Sequence, residues 1–266
     1  MTLGVVVSPP EHELELAADA LWQLGAVAVE ERNGELWTSL GDDRAWVTAA
    51  MPTHWPYRFE QLDDNVANTW REFAQATHVS ANLVIAPMWK RYDPAVGERV
   101  IRIEPGATFG MGDHPTTVLC LQAIEARPPG DRVLDVGCGS GVLAIAAVVL
   151  GAAHAVAVDI NPASVEVTTE NALKNGVLDR ISVSNDPLSV VQGSFDLVLA
   201  NILAPALIEL ADDLKRCLAP NGNLVISGIL ATNYDHVLAA FQPLEVVAIA
   251  TMDVWAAITL RMRSSA

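Results

Sequence analysis

Residues 133–159 read VLDVGCGSGVLAIAAVVLGAAHAVAVD, and the fold follows from how this run divides. Residues 133–136 form a short apolar stretch with one carboxylate, Asp135. Gly137, Cys138, Gly139, Ser140 and Gly141 make a tight turn of small residues. Residues 142–150 read as a helix, Gly151 ends it, and residues 155–158 return as a second strand that stops on Asp159. Strand, glycine loop, helix, strand and acid together form the half-unit that binds an adenosine-containing ligand at the carboxyl ends of parallel strands. The glycines let backbone approach the ligand without a Cβ clash. An acid at the second strand end can accept hydrogen bonds from two ribose hydroxyls.

The spacing decides between ligands. It is G-x-G-x-G, and position 142 is Val, whereas a dinucleotide site needs a third glycine there for close packing beside the pyrophosphate. The pattern D-x-G-x-G-x-G, from Asp135 to Gly141, resembles the first motif of class I methyltransferases that use S-adenosylmethionine. In that family an amino-acid moiety, not a diphosphate, lies against the loop.

Composition narrows the class. The chain has 266 residues, 51% of them hydrophobic, which suits a large core and argues against disorder. Cys120, Cys138 and Cys217 are too few and too scattered for a disulfide framework or a metal cage, so each reads as a small buried residue in a reducing compartment. The first residues lack a basic n-region and an apolar h-region, and the expected location is cytoplasmic. No charged residue occurs between Asp135 and Asp159, yet four glycines divide that stretch, so it reads as buried helix and strand rather than a membrane span. A net charge of −16 repels phosphate backbones and disfavours direct nucleic-acid readout.

The rest of the chain falls into two parts. Residues 4–8 read as a strand, residues from Pro9 to Gly25 as a helix, and 26–31 and 35–40 as strands joined by Asn33-Gly34, a strong hairpin signal. Residues 45–51 are expected as a further strand, 52–64 as a connection and 65–76 as a short linker helix. Six of the seven tryptophans precede position 90; they read as core, with Trp37, Trp46 and Trp55 as candidates for a protein-docking face. Beyond position 79, two extended segments lead to Gly106-Ala107-Thr108-Phe109-Gly110-Met111-Gly112-Asp113-His114-Pro115-Thr116-Thr117. This glycine loop opens a helix through 118–126, capped by Asp113 or His114, whose N-terminus offers N–H groups and the Thr117 hydroxyl to a carboxylate. After Asp159 come a helix over 162–175, strands at 181–184 and 195–200, a helix over 204–218, a strand at 222–226, a helix over 234–241 and an antiparallel closing pair. That alternation implies a doubly wound α/β sheet.

Four segments taken together carry a closer resemblance: FGMGDHPTT at 109–117, VLDVGCGSG at 133–141, AVAVDINP at 155–162 and ANILA at 200–204. With a looser echo in Pro87-Met88-Trp89, and with Trp255 in the C-terminal strand region, the chain resembles the ribosomal protein L11 methyltransferase family. The resemblance is close over residues 83–260 and architectural over 1–76. It implies a class I methyltransferase domain with a Rossmann-like sheet at 79–266. Ahead of it would lie an α+β, ferredoxin-like substrate-recognition domain at 1–60 and a linker with a short helix at 61–78. It implies S-adenosylmethionine as cofactor, and lysine ε-amines, with an α-amine, of ribosomal protein L11 as substrate. A monomer is expected, with no metal and no membrane association. Residue by residue, the resemblance gives Thr117 and Gly137 to the methionine end of the cofactor, Gly139 to cofactor binding and Asp159 to the ribose. Asn201 stands at the methyl side, where it orients the incoming amine. Met111 and Asp113 stand where the family usually has threonines.

The chemistry limits the rivals. A lysine amine, with a pKa of about 10.4, must lose its proton before attack, and a cleft carboxylate would hold that proton in place. An Asn carbonyl orients the amine without that penalty, so no obligatory base is expected. Base-amine methyltransferases of nucleic acids carry Asn/Asp-Pro-Pro-aromatic at the strand-four position, where the ring stacks on a flipped base. Here that segment is Asn201-Ile202-Leu203-Ala204. Methylation of another protein's lysines, or of a small amine, stays open as the alternative. A dinucleotide-dependent oxidoreductase is disfavoured by Val142.

Overall fold

The computed structural model describes residues 2–24, 26, 29–40, 44–62, 71, 73–106, 108, 110–126 and 132–262. They form two compact units, 1–75 with 106–109, and 76–105 with 110–266.

The first unit runs β1 (Thr2–Val7), α1 (Leu14–Gln23), β2 (Val29–Arg32), β3 (Glu35–Thr38), α2 (Arg44–Ala50) and β4 (Tyr57–Leu62). Its sheet has the order β2-β3-β1-β4 with antiparallel pairs throughout. The hairpin at Asn33-Gly34 forms as the dipeptide requires, with φ of 53° and 78° and Arg32 paired to Glu35. Two expectations fail here. Residues 44–50 are helical rather than extended, and the buried Val47 and Met51, four positions apart, show the spacing that a helix turns to one side. The supposed connection contains β4, whose alternation Tyr57-Arg58-Phe59-Glu60 places both aromatic rings toward the core. The expected linker helix lies mostly outside the described residues.

The tryptophans of this unit divide by environment. Trp55 is core, only 4% exposed, and its indole N–H donates to Glu13 at 2.7 Å, so it offers no docking surface. Trp46 is 47% exposed. Trp37 is half-buried under the guanidinium groups of Arg32, 4.9 Å from the ring, and Arg58, 5.5 Å away.

The second unit continues with β5 (Thr77–His78), β6 (Leu83–Pro87), β7 (Arg99–Ile103), α3 (Pro115–Glu125), β8 (Arg132–Val136), α4 (Val142–Val149) and β9 (His154–Val158). Then come α5 (Pro162–Lys174), β10 (Ile181–Ser184), β11 (Phe195–Asn201), α6 (Ala204–Glu209), α7 (Ala211–Arg216), β12 (Leu218–Leu230), α8 (Asp235–Ala240), β13 (Glu245–Met252) and β14 (Trp255–Arg261). The main sheet has seven strands in the order β10-β9-β8-β11-β12-β14-β13. The pairs from β10 to β12 are parallel, and β14 runs antiparallel to both β12 and β13. This is the doubly wound sheet the alternation implied. Strand order reverses between β8 and β11, so the crevice above their carboxyl ends is the switch point where such sheets bind ligands. One core lies on each face: α3, α4 and the β6–β7 pair on one side, α6, α7 and α8 on the other.

Helix and strand ends differ from expectation in places. The helix over 204–218 is two helices that meet at Leu210. β12 is longer than expected and carries a register shift between Ile226 and Ile229, where Gly228 has φ of 83°. No helix among the described residues is long and apolar enough to cross a membrane.

Candidate active site

The glycine loop leaves β8 at the switch point. Gly137, Gly139 and Gly141 have φ of 73°, 53° and 79°, a region open to glycine at little cost. Each is also a point of close approach: a Cβ at Gly137 would collide with the side chain of Ile202, and one at Gly141 would lie 2.5 Å from Thr168 Cγ2. The loop N–H groups close on protein. Those of Gly137 and Cys138 donate to the Val158 carbonyl at 2.8 and 3.1 Å, and that of Gly141 donates to Cys138.

Two carboxylates flank the loop. Asp135 is buried at the end of β8. One of its oxygens accepts the Ala144 N–H at 3.0 Å, while Oδ1 has no partner among the described residues. Burial, with the nearby Asp159 charge adding, pushes its pKa up to about 7, only in part offset by the Ala144 bond. Asp159, half-buried at the end of β9, accepts the Gly139 N–H on Oδ2 and the Asn161 N–H on Oδ1, both at 2.9 Å. Asn161 in turn caps α5 through the Ala163 N–H. An ionised carboxylate has about four acceptor sites. Among the described residues one on each oxygen remains for a ligand, an arrangement that suits a vicinal diol.

Opposite the loop, α3 begins at the capping residue His114. Its Nδ1 accepts the Thr116 N–H, and the ring lies edge-on to Trp255 with centroids 5.3 Å apart. Burial holds the imidazole down to about 4, with Asp253 opposing, so the ring is neutral at physiological pH. Of the two cap residues the sequence offered, the structure uses His114. Thr117 is buried in the first turn, and its hydroxyl accepts Asn201 Nδ2 at 3.3 Å. Among the described residues, the Asn201 carboxamide oxygen takes no hydrogen bond. Asn201 ends β11 beside β8, so Thr117, Gly137, Gly139, Asp159 and Asn201 all converge on the carboxyl ends of β8, β9 and β11.

Ser140, Thr168 and Asn171 were not singled out in the sequence. Ser140 Oγ donates to the Gly110 carbonyl at 2.6 Å, and Thr168 Oγ1 donates to that of Gly139 at 3.0 Å. Only the helical spacing of 168 and 171 could have placed them on one face toward the loop.

The arrangement fits an adenosine-type ligand with an amino-acid arm. It combines a glycine turn, a carboxylate at the second strand end that could accept from a diol, and a helix N-terminus carrying a hydroxyl across the crevice. Comparison with known proteins points the same way. Residues 30–263 match the family model described as ribosomal protein L11 methyltransferase. The chain is 43% identical over 201 residues to the ribosomal protein L11 methyltransferase of Geobacter sulfurreducens, covering 75% of this chain and 67% of that one. It is 46% identical over 193 residues to the enzyme of that name from Citrifermentans bemidjiense, covering 70% and 63%. The chain thus spans about two thirds of the length of these relatives. Among solved structures, the ribosomal protein L11 methylase of Lactobacillus delbrueckii subsp. bulgaricus matches with a TM-score of 0.65 at 34% identity, over 71% of this chain and 97% of that one.

Proposed function

The chain belongs to the ribosomal protein L11 methyltransferase family, and we propose that it transfers methyl groups from S-adenosylmethionine to lysine ε-amines, and an α-amine, of ribosomal protein L11. The observation that carries this reading is the Thr117–Asn201 pair. Thr117 holds the Asn201 amide nitrogen and leaves the carbonyl oxygen free at the switch point, as an acceptor for an amine N–H.

In this reading Asp159 offers its two free acceptor sites to the ribose hydroxyls, and Gly137 and Gly139 keep the loop surface clear of side chains. Thr117 and the first turn of α3 face the amino-acid arm. The bound cofactor supplies an electrophilic methyl on a sulfonium. The protein's task is alignment, because placing amine and methyl in line can supply on the order of 7–11 kcal/mol of the barrier. Asn201 accepts a hydrogen bond from the neutral amine and turns its lone pair toward the methyl. No carboxylate is needed beside the amine, and the proton leaves to solvent before attack. The four-stranded module at the N-terminus presents the substrate protein. The acidic chain, at −16, attracts a basic one.

Incubation with isotopically labelled S-adenosylmethionine and purified L11, read by intact mass and peptide mapping, tests the reading. Mass steps of one methyl on L11 lysines are expected. Label that enters RNA or small amines while L11 stays unmodified would overturn the substrate assignment.

A further inference from the structure

One face of α5 is built to hold the glycine loop. Thr168, Asn171 and Asn175 follow one another at helical spacing on that face. Asn171 is buried and uses both ends of its carboxamide: Oδ1 accepts the Glu104 N–H at 3.0 Å, and Nδ2 donates to the Glu104 and Ser140 carbonyls, both at 2.9 Å. Asn175 repeats the first two bonds one turn on, with the Arg102 N–H and carbonyl at 2.9 and 2.8 Å, but its third goes to the Asn171 carbonyl of its own helix. The two amides therefore act as a short strand against the backbone leading from β7 into the 106–112 loop. They differ in one respect: Asn171 alone also grips the turn at 137–141. Ser140, the residue it grips, reaches in the other direction to the Gly110 carbonyl. Thr168 adds a bond to Gly139.

We propose that Asn171 is a positioning residue for methyl transfer, setting the 137–141 turn relative to the segment that enters the 106–112 loop. It acts through the backbone of Ser140 and Glu104, while Thr168 fixes the same turn at Gly139. This inference rests on the reading that the turn binds S-adenosylmethionine. A purely structural clamp would lower Tm in variants of Asn171 and Asn175, each of which makes three side-chain hydrogen bonds, without a separate effect on cofactor affinity. A positioning role separates them.

The test is a matched pair of truncations, Asn171→Ala and Asn175→Ala, with Thr168→Val as a third variant that touches only the turn. Calorimetric affinity for S-adenosylmethionine, its KM and kcat, and Tm are measured on the full chain. Both asparagine variants are expected to melt earlier. Asn171→Ala and Thr168→Val are expected to weaken cofactor binding about fivefold or more, the scale of one hydrogen bond, with KM for the cofactor rising more than kcat falls. Asn175→Ala is expected to leave affinity within about twofold, below that scale. Equal losses in Asn171→Ala and Asn175→Ala, or unchanged affinity in Thr168→Val, would overturn the proposal. If Asn171→Ala does not fold, Thr168→Val against Asn175→Ala decides. Failure of the wild-type chain to bind S-adenosylmethionine would instead remove the cofactor reading on which the proposal stands.

Discussion

Replacing Asp159 by Asn keeps the shape at the end of β9 and removes the charge. The carboxylate now serves two backbone donors, Gly139 and Asn161, each at 2.9 Å. A carboxamide can serve only one of them, since its NH2 cannot accept. Gly139 is the less exposed donor, so the amide oxygen turns to it, and solvent takes over the exposed Asn161 N–H. The folded protein then loses one charge-assisted bond at a wet site, a cost of about 1–2 kcal/mol and a modest drop in Tm. The ligand loses more. A diol that met two acceptor oxygens meets one, neutral instead of charged. Loss of one hydrogen bond to a charged group, about 1.5–3 kcal/mol, is roughly 10- to 150-fold in affinity. Isothermal titration with S-adenosylmethionine and its demethylated product measures this directly, with thermal melting of the free protein as control. Affinity within twofold of wild type together with a lowered Tm would show that Asp159 is only an anchor for the loop, and the ribose assignment would fall.

Two variants test the buried titratable groups by opposite signs. Asp135 binds its proton more tightly folded, at about 7 against 3.8, so its contribution to stability is present at low pH and is lost as pH rises through that window. Urea unfolding should show wild type losing about 4 kcal/mol relative to Asp135→Asn between pH 3.5 and 8, and parallel curves would refute the burial argument. His114 is neutral in the fold at about 4 against 6.5, so wild type should lose about 3 kcal/mol relative to His114→Gln as pH falls from 7.5 to 3.5. A constant difference between the two would show that the imidazole is not held neutral. Asn201→Ala should lower kcat for L11 by about 10- to 100-fold, the scale of one or two hydrogen bonds to the amine, and wild-type turnover would refute its orienting role. Gly137→Ala should cost about 1–3 kcal/mol of stability and displace Ile202, and a wild-type melting curve would contradict the close approach.

The catalytic sheet was legible because its signals are local. The acid-ended strands, the glycine turn and the Pro115 and Pro162 helix starts each declare themselves within a few residues, and parallel strands buried on both faces read as unbroken apolar runs. The N-terminal unit was less legible for the same reason. In AWVTAAM the small residues fit helix and strand alike, and packing of Val47 and Met51, four positions apart, decides. β4 was hidden by its charges. Arg58 and Glu60 alternate with the core aromatics, and Arg58 is held on the outer face by Glu35, whose carboxyl it pulls down to about 2. At the active site the motif glycines, Thr117, Asp159 and Asn201 were visible as residues. What holds them across the fold was not, since Gly139 binds Asp159 from 20 positions away and Thr117 binds Asn201 from 84.

The position of Asn201 shows how such distant partners act together. Two glycines from different strands make room for one residue, Ile202. Gly137, after β8, would strike its side chain if it carried a Cβ, and Gly228, at the register shift in β12, would strike its carbonyl. Both have positive φ, at 73° and 83°, so neither place tolerates an ordinary side chain. Ile202 is therefore gripped from both neighbouring strands just after Asn201, and Asn201 is held from a third direction by Thr117 on α3. A carboxamide on a surface loop would sample many orientations, and aligning an amine with a methyl leaves no room for that. The glycine turn thus has two duties. In the proposed reading one side of it faces the cofactor, and the other sets the end of β11. A substitution at Gly137 should consequently lower kcat as well as cofactor affinity, whereas a change at Gly228, which lies on the far side of Ile202, should lower kcat while leaving affinity near wild type. Steady-state kinetics beside titration calorimetry on Gly228→Ala separates the two, and an affinity loss equal to that of Gly137→Ala would show that Ile202 does not divide the site in this way.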